Sequence, residues 1–334
     1  MSAGLQLRLP SPVLECPLPS APGRLFVKHD GLVHPEYGGN KTRKAKLLLE
    51  DAVGRGARRI LTIGAAGSHH VLALARFAPV YGLSVVAVLT PQPYTPHAEN
   101  NLRVALGRGL EAWPSASALE AVARLARVYR RGDYVLAPGG STPLGASAYA
   151  LALDELVEQV AAGELPVPDW IVVPLGSGGT AAGLLAGAAR RRLRARILAV
   201  STLRNRFAAL WTRRLAARCL RHLGEARALQ LDGLVIDDSQ IGAGYGAPSL
   251  AGARAAEEAA RFGIELEPTY TQKAFASALS LARGEHPLAP RPGVVLFWNT
   301  LAVSAPGGAD LAVPPLPAKL QRLFATEANG LSRR

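Results

Sequence analysis

Only two cysteines, Cys16 and Cys219, occur in this chain, with no CxxC pair and no partner His or Asp at a useful spacing. That excludes a disulfide framework and leaves two free thiols, as expected in a reducing cytoplasm. The seven histidines have no metal-ligand spacing. His69 and His70 are adjacent and would point apart on a helix, so no metal site is expected. Charge is sparse as well: 19% of residues are charged and 49% are hydrophobic, which excludes a disordered chain. Trp170 to Ala189 runs for twenty residues without charge, but Pro174 and its glycines break it into strand, loop and helix. A membrane span is therefore not expected. The proline-rich start lacks a basic-then-apolar pattern, so no signal peptide is expected there.

Acidic residues are outnumbered, 25 against 38 basic ones, for a net charge of +13. Much of the excess is arginine in Arg190–Arg196 and Arg204–Arg221, where it alternates with Leu and Ala at helical spacing. Such stretches read as solvated helix faces covering apolar surface. No groove-reading motif or aromatic interleaving accompanies them, and nucleic acid is not an expected partner.

What the chain does have begins at Trp170–Leu175, an apolar β-rich run followed by Gly176-Ser177-Gly178-Gly179-Thr180 and an Ala/Leu/Gly helix from Ala181 to Ala189. Strand, tight loop and helix in that order let several N–H groups converge at a helix N-terminus, where a phosphate is well served. A close-packed turn without ligand is the alternative for such a cluster taken alone. A dinucleotide would need an acidic residue roughly 20 positions on to hold a ribose, and none occurs between Thr180 and Glu225. No lysine follows the glycines, so the P-loop pattern fails too. A single phosphate monoester fits best.

Lysine is scarce: Lys28, Lys41, Lys44, Lys46, Lys273 and Lys319 stand against thirty-two arginines. Lys44 and Lys46 fall in the polar first turns of a helix read over Thr42 to Val53, where solvated lysines are usual. Lys41 follows Gly38-Gly39-Asn40 at the helix entrance, where neighbouring N–H dipoles favour a neutral amine. A neutral amine can form a Schiff base. An amine on a glycine-flanked turn and a phosphate cradle together suggest pyridoxal phosphate (PLP). A third segment, strand Arg59–Ile63, turn Gly64–Gly67 and a helix from Ser68 to Val80 with Ser68 as N-cap, presents free N–H groups and a hydroxyl suited to a carboxylate.

These residues resemble the PLP-dependent group that contains D-cysteine desulfhydrase and aminocyclopropane-carboxylate deaminase, of the tryptophan-synthase-β fold (fold type II). The likeness runs from about Lys28 to Thr300. Gly38 to Lys44 is similar to that family's Schiff-base segment, Gly67-Ser68-His69-His70 to its Ser-Asn-His or Ser-Asn-Gln turn, and Gly176 to Thr180 to its phosphate loop. Gly244-Tyr245-Gly246-Ala247-Pro248 and Glu267-Pro268-Thr269-Tyr270-Thr271-Gln272-Lys273 resemble its two tyrosine segments.

The resemblance implies that Lys41 is the Schiff-base lysine and α-proton base. It further implies that Ser68, with His69 and His70, meets the substrate and that Tyr245 and Tyr270 line its pocket and assist proton transfer. Lys41, Lys44, His69, Gly176, Ser177, Gly178, Gly179, Thr180, Thr271 and Thr300 would contact the cofactor. Thr271 stands where the deaminases carry a glutamate facing the pyridine nitrogen, and Thr300 where they carry leucine. Both resemble the desulfhydrase branch and suit β-elimination. Three positions depart from the family pattern: His69 replaces an asparagine, Asn299-Thr300-Leu301-Ala302 a His-Thr-Gly-Gly run, and Gln272 a glycine.

Strand-like runs at Arg59–Ile63, Ser84–Leu89, Tyr134–Leu136, Trp170–Val173, Ile197–Ser201, Leu234–Ile236 and Val294–Phe297 alternate with helical segments. That order predicts an α/β protein with mostly parallel, twisted sheets. A short terminal helix is expected over Lys319 to Ala325, after a loop containing Pro306, Pro314, Pro315 and Pro317. By resemblance, residues 1–45 and 151–334 form a large PLP-binding domain around a small α/β domain of residues 46–150, and the enzyme is a homodimer. The expected activity is a cytoplasmic PLP-dependent lyase acting on a small amino acid by α,β-elimination, giving a keto acid and ammonia. Alternatives are ring-opening deamination or β-replacement and, from another class, a non-catalytic relative that binds PLP or an amino acid.

Overall fold

A computed structural model describes residues 4–226, 228–229, 231–288, 293–301 and 315–325. The chain opens with β1 (Val13–Cys16), β2 (Arg24–His29), α1 (Gly39–Gly54), β3 (Arg59–Ala65) and α2 (His69–Phe77). Next come β4 (Ser84–Thr90), β5 (Gln92–Pro93), α3 (Pro96–Gly107), β6 (Glu111–Pro114), α4 (Ala118–Val128) and β7 (Tyr134–Leu136). There follow α5 (Pro143–Ala161), β8 (Trp170–Leu175), α6 (Gly179–Arg191), β9 (Arg196–Ser201), α7 (Ala208–His222) and β10 (Leu234–Asp237). The last described elements are α8 (Leu250–Ala260), α9 (Thr271–Ala282), β11 (Val294–Asn299), α10 (Ala318–Gln321) and β12 (Phe324–Ala325).

Internal contacts divide the described residues into two compact units: Ala45–Gly140 with residues 4–6 and 315–325, and Leu7–Lys44 with residues 141–301. The inner domain read from sequence runs to residue 150. The contact boundary falls at Gly140 because α5 packs on α6 and α7. In the second unit the sheet order is β1-β2-β11-β8-β9-β10, parallel except for β1. Ile171 and Val173 of β8 face the layer of α5, α6 and α7, while Trp170 and Val172 face that of α9. Both faces are covered, which is why this strand is apolar throughout rather than alternating. In the first unit β6-β4-β3-β7 is wholly parallel, with Ile60, Leu61, Val86 and Val88 buried.

All seven strands read from sequence are present, several one or two residues longer. Cys16, in the proline-rich lead segment, lies on β1 and is buried; Cys219 is buried on α7, and both are free. Four-residue β1 and β6 are too short for a clear period-2 signal. The terminal helix is shorter than expected: α10 makes one turn and the chain then pairs with β5 as β12. Pro306, Pro314 and Ala302 lie outside the described residues. Among the described residues, no helix is long and apolar enough to cross a membrane.

Candidate active site

Parallel strands bring their carboxyl ends to one edge of a sheet, and ligands of open α/β sheets bind there. In the second unit that edge carries the loops after β2, β8, β10 and β11. The loop after β2 leads into α1 through Gly38, where a Cβ would lie 2.0 Å from the Gly31 carbonyl oxygen. Only glycine permits that approach. The helix begins at Gly39, earlier than the Thr42 read from sequence, so Lys41 stands inside the first turn. Thr42 Oγ1 donates to the carbonyls of Tyr37 and Gly38, 2.7 Å each, and locks the entrance.

Lys41 and Lys44 are one turn apart, and neither amine has a hydrogen-bond acceptor among the described residues. Desolvation brings Lys41 from the ordinary lysine value of 10.5 down to about 8. Lys44 is held well below that value, first by burial and then by the charge on Lys41. The solvated position expected for Lys44 is therefore wrong: it is 1% exposed, and its Nζ lies 5.9 Å from the Tyr149 ring centroid. A helix surface was expected there, but Tyr149 of α5 and Gly179 of α6 stand beside the amine. Lys46, by contrast, is partly exposed and pairs with Glu50.

The loop after β8 meets these groups. Gly178 takes a left-handed φ of +83°, and α6 starts at Gly179 without a side-chain cap from its N-cap residue. A Cβ on Gly179 would lie 2.9 Å from Lys44 Nζ and 2.6 Å from Ser141 Oγ. Ser141 Oγ accepts from Gly179 N at 3.2 Å and donates to Ser177 Oγ at 2.7 Å. Asn40 Nδ2 donates to Thr180 Oγ1 at 3.1 Å, and Asn40 N to the Thr300 carbonyl at 3.2 Å. A buried amine, three hydroxyls and a helix N-terminus thus converge with no carboxylate among them, an arrangement that calls for an anion.

Tyr270 packs on the same loop, its Cε1 3.0 Å from a Cβ built on Gly176. Its hydroxyl lies 2.7 Å from that of Tyr245, with the rings edge to face at 5.9 Å. Burial raises both phenols above their ordinary value of 10.0, so the pair is protonated at neutral pH. One proton lies between the oxygens and the other is left to donate. Thr271 is buried at the head of α9, where its Oγ1 accepts from Glu267 N at 2.8 Å. The Glu267 carboxylate in turn accepts from the N–H groups of Thr269, Tyr270 and Thr271 at 2.7 to 2.9 Å.

Ser68, His69 and His70 belong to the first unit. Ser68 is the N-cap of α2, accepting from Val71 N at 3.4 Å. His70 turns into the core, while His69 Nε2 stands 2.9 Å from His97 Nε2 and 3.4 Å from Asn101 Nδ2. Among the described residues no group of three His, Cys, Asp or Glu could hold a metal.

A family profile described as "Pyridoxal-phosphate dependent enzyme" matches residues 5–299. This chain belongs to that family. Nocardicin C-9′ epimerase of Nocardia uniformis subsp. tsuyamanensis is 34% identical over 88% of this chain and 91% of its own length. D-cysteine desulfhydrase of Klebsiella pneumoniae subsp. pneumoniae is 32% identical over 76% of this chain and 80% of its own. A solved ACC deaminase homologue superimposes with a TM-score of 0.76 at 26% identity, covering 90% of this chain and 92% of that one.

The residues of this PLP-dependent enzyme fit its cofactor. The phosphate needs an anion cradle, and the Lys44 amine, without an acceptor among the described residues, would provide one together with the α6 N-terminus. The aldehyde needs a neutral amine, and the lowered pKa of Lys41 makes that form easier to reach. Sequence reasoning missed Asn40, Ser141 and Glu267. Asn40 lay within a quoted motif, and Glu267-Pro268 ahead of a helix was a capping signal. Ser141 had no signal, because only the packing of α5 beside α6 brings it to the loop.

Proposed function

We propose that this PLP-dependent enzyme catalyses α,β-elimination on a small amino acid with a β-leaving group, in the manner of its D-cysteine desulfhydrase relatives. One observation carries the reading: the loop Gly176–Thr180 touches both the lysine segment, through Lys44 and Asn40, and the tyrosine pair, through Tyr270. When bound, PLP supplies the electron sink that renders the α-proton acidic. Lys41 and Lys44 would hold the cofactor with Ser177, Gly178, Gly179 and Thr180, with Thr271, Thr300 and His69 beside its ring. The Lys41 amine takes the α-proton, and the Tyr245–Tyr270 pair donates to the departing β-group. Ser68 and the N-terminus of α2 hold the substrate carboxylate, with His69 and His70 in the same turn. Water then converts the unsaturated product to a keto acid and ammonia. A cytoplasmic homodimer belongs to the same proposal; it rests on family likeness and the two free thiols, and light scattering tests the dimer.

A second reading, epimerisation at the α-carbon, is favoured by the epimerase relative, which matches 88% of this chain against 76% for the desulfhydrase. Supplied with PLP, reduced with borohydride and digested, the protein is expected to carry the adduct on Lys41. A separate, unreduced sample of the PLP-loaded protein should release sulfide, pyruvate and ammonia from D-cysteine in equal amounts. Racemised substrate without ammonia would select the second reading, and an unmodified Lys41 would falsify both.

A further inference from the structure

Lys273 is a buried cation that the proposed chemistry does not use. It lies on α9, one turn after Tyr270, with no exposed surface. Its Nζ donates to the carbonyls of Ile241 at 2.8 Å and Gly244 at 3.3 Å, its hydrogen-bond partners among the described residues. Both carbonyls belong to the loop after β10 that carries Tyr245. That loop has Gly242, Gly244 and Gly246 at positive φ, +60°, +122° and +80°. A backbone so permissive does not by itself hold a side chain in place. Gly244 O lies in the peptide plane that leads into Tyr245, so fixing this oxygen fixes where the tyrosine departs.

We infer that Lys273 is a positioning residue that pins the Ile241–Gly244 turn and thereby sets Tyr245 against Tyr270. The inference rests on the reading of the tyrosine pair as proton donor. The choice of lysine in a chain that otherwise prefers arginine fits this role. A compact ammonium directs its donors tetrahedrally and can meet two carbonyls one turn apart, whereas a planar guanidinium suits a carboxylate. Removing a buried donor leaves two carbonyls unsatisfied, which costs more than the hydrogen bonds themselves contribute. Burial lowers the Lys273 pKa and the nearby charge of Glu267 partly restores it.

A double-mutant cycle on the PLP-loaded enzyme tests the idea, with Lys273→Met, Tyr245→Phe and the pair. Tyr245→Phe is expected to lower kcat on the order of 100-fold, and Lys273→Met on the order of tenfold or more with KM little changed. The double variant should be no slower than Tyr245→Phe alone. Hydrogen exchange of the peptide spanning residues 238–249 should quicken roughly tenfold in Lys273→Met, as for one lost buried hydrogen bond, while peptides from β8 and α6 keep their rates. Additive losses in kcat, or an unchanged loop exchange rate, overturn the inference. An unimpaired Tyr245→Phe overturns the tyrosine reading instead. If Lys273→Met does not fold, Lys273→Arg, which keeps donors of the wrong geometry, passes through the same cycle under the same criteria.

Discussion

Burying an amine ordinarily costs stability, and at Lys41 that cost appears as a lowered pKa, the property the proposed chemistry needs. Its folded pKa, about 8, lies below the ordinary 10.5. Below pH 8 both folded and unfolded chains carry the proton, and the folded state bears the full desolvation cost. Between 8 and 10.5 the folded amine is neutral while the unfolded one is still charged, so stability rises with pH; above 10.5 the cost is gone. The wild-type protein without PLP should therefore gain ~1–3 kcal/mol over Lys41→Met across that window, discounted for partial exposure. Urea unfolding at several pH values measures it, and a flat difference would show that the amine is not desolvated. The same physics acts at Lys44, whose position sequence alone misjudged. Residue type and helix turn predict an exposed lysine, and only Tyr149 of α5 and Gly179 of α6 beside the amine decide otherwise.

Helix entrances separate structural capping from binding. Ser68, Thr95, Ser117, Thr142 and Ser249 each cap their own helix through the side-chain oxygen. The Gly178 N-cap of α6 makes no such bond, and Lys44 beside it has no acceptor among the described residues. Ser68 is proposed to serve both purposes, which gives a controlled comparison. Ser68→Ala and Ser117→Ala should each cost about 1 kcal/mol in thermal unfolding. Only Ser68→Ala should also raise KM for the amino acid, by roughly tenfold for one hydrogen bond to a charged group. Equal kinetics in the two variants would confine Ser68 to capping. The Ser68 cap was legible as Ser before a helical run. The α9 cap was harder to read, because Glu267 sits four residues before Thr271 and its carboxylate folds back onto three N–H groups.

Across the second unit, a buried charge network joins the elements that present the site. Asp30 accepts from Ser11 Oγ and Arg43 through Oδ1, and from Tyr149 and Trp298 through Oδ2, at 2.5 to 2.9 Å. Arg43 also reaches Glu155 at 3.0 Å, which accepts from Lys28 at 2.6 Å. The loop after β2, the helix of Lys41, α5 and β11 are thus tied to one carboxylate. Burial opposes its charge, but the Arg43 guanidinium and the Tyr149 hydroxyl outweigh that and hold Asp30 below its ordinary value. Its contribution is therefore present above the ordinary carboxylate range and is lost as pH falls through the lowered folded pKa. Asp30→Asn should cost about 3–5 kcal/mol, since it leaves Arg43 short of a partner and turns an amide toward donors. Thermal unfolding at neutral pH checks this, and a loss below 1 kcal/mol would mean that Glu155 alone satisfies the arginine.

The sequence by itself determined the order of seven of the twelve described strands and their alternation with helices, because apolar runs and turn residues are local signals. It also determined the cofactor class, since a glycine cradle and a lysine on a glycine turn are chemical requirements written in residue type. Only the tertiary structure decided which side chains meet. The burial of Lys44, the arrival of Ser141 at the α6 N-terminus, the Tyr245–Tyr270 hydrogen bond and the grip of Lys273 on the loop after β10 all join residues from 25 to 105 positions apart. Such pairs leave no mark in a window of neighbouring residues. They exist because parallel strands deliver distant loops to one edge of a sheet, where packing of whole layers sets the distances.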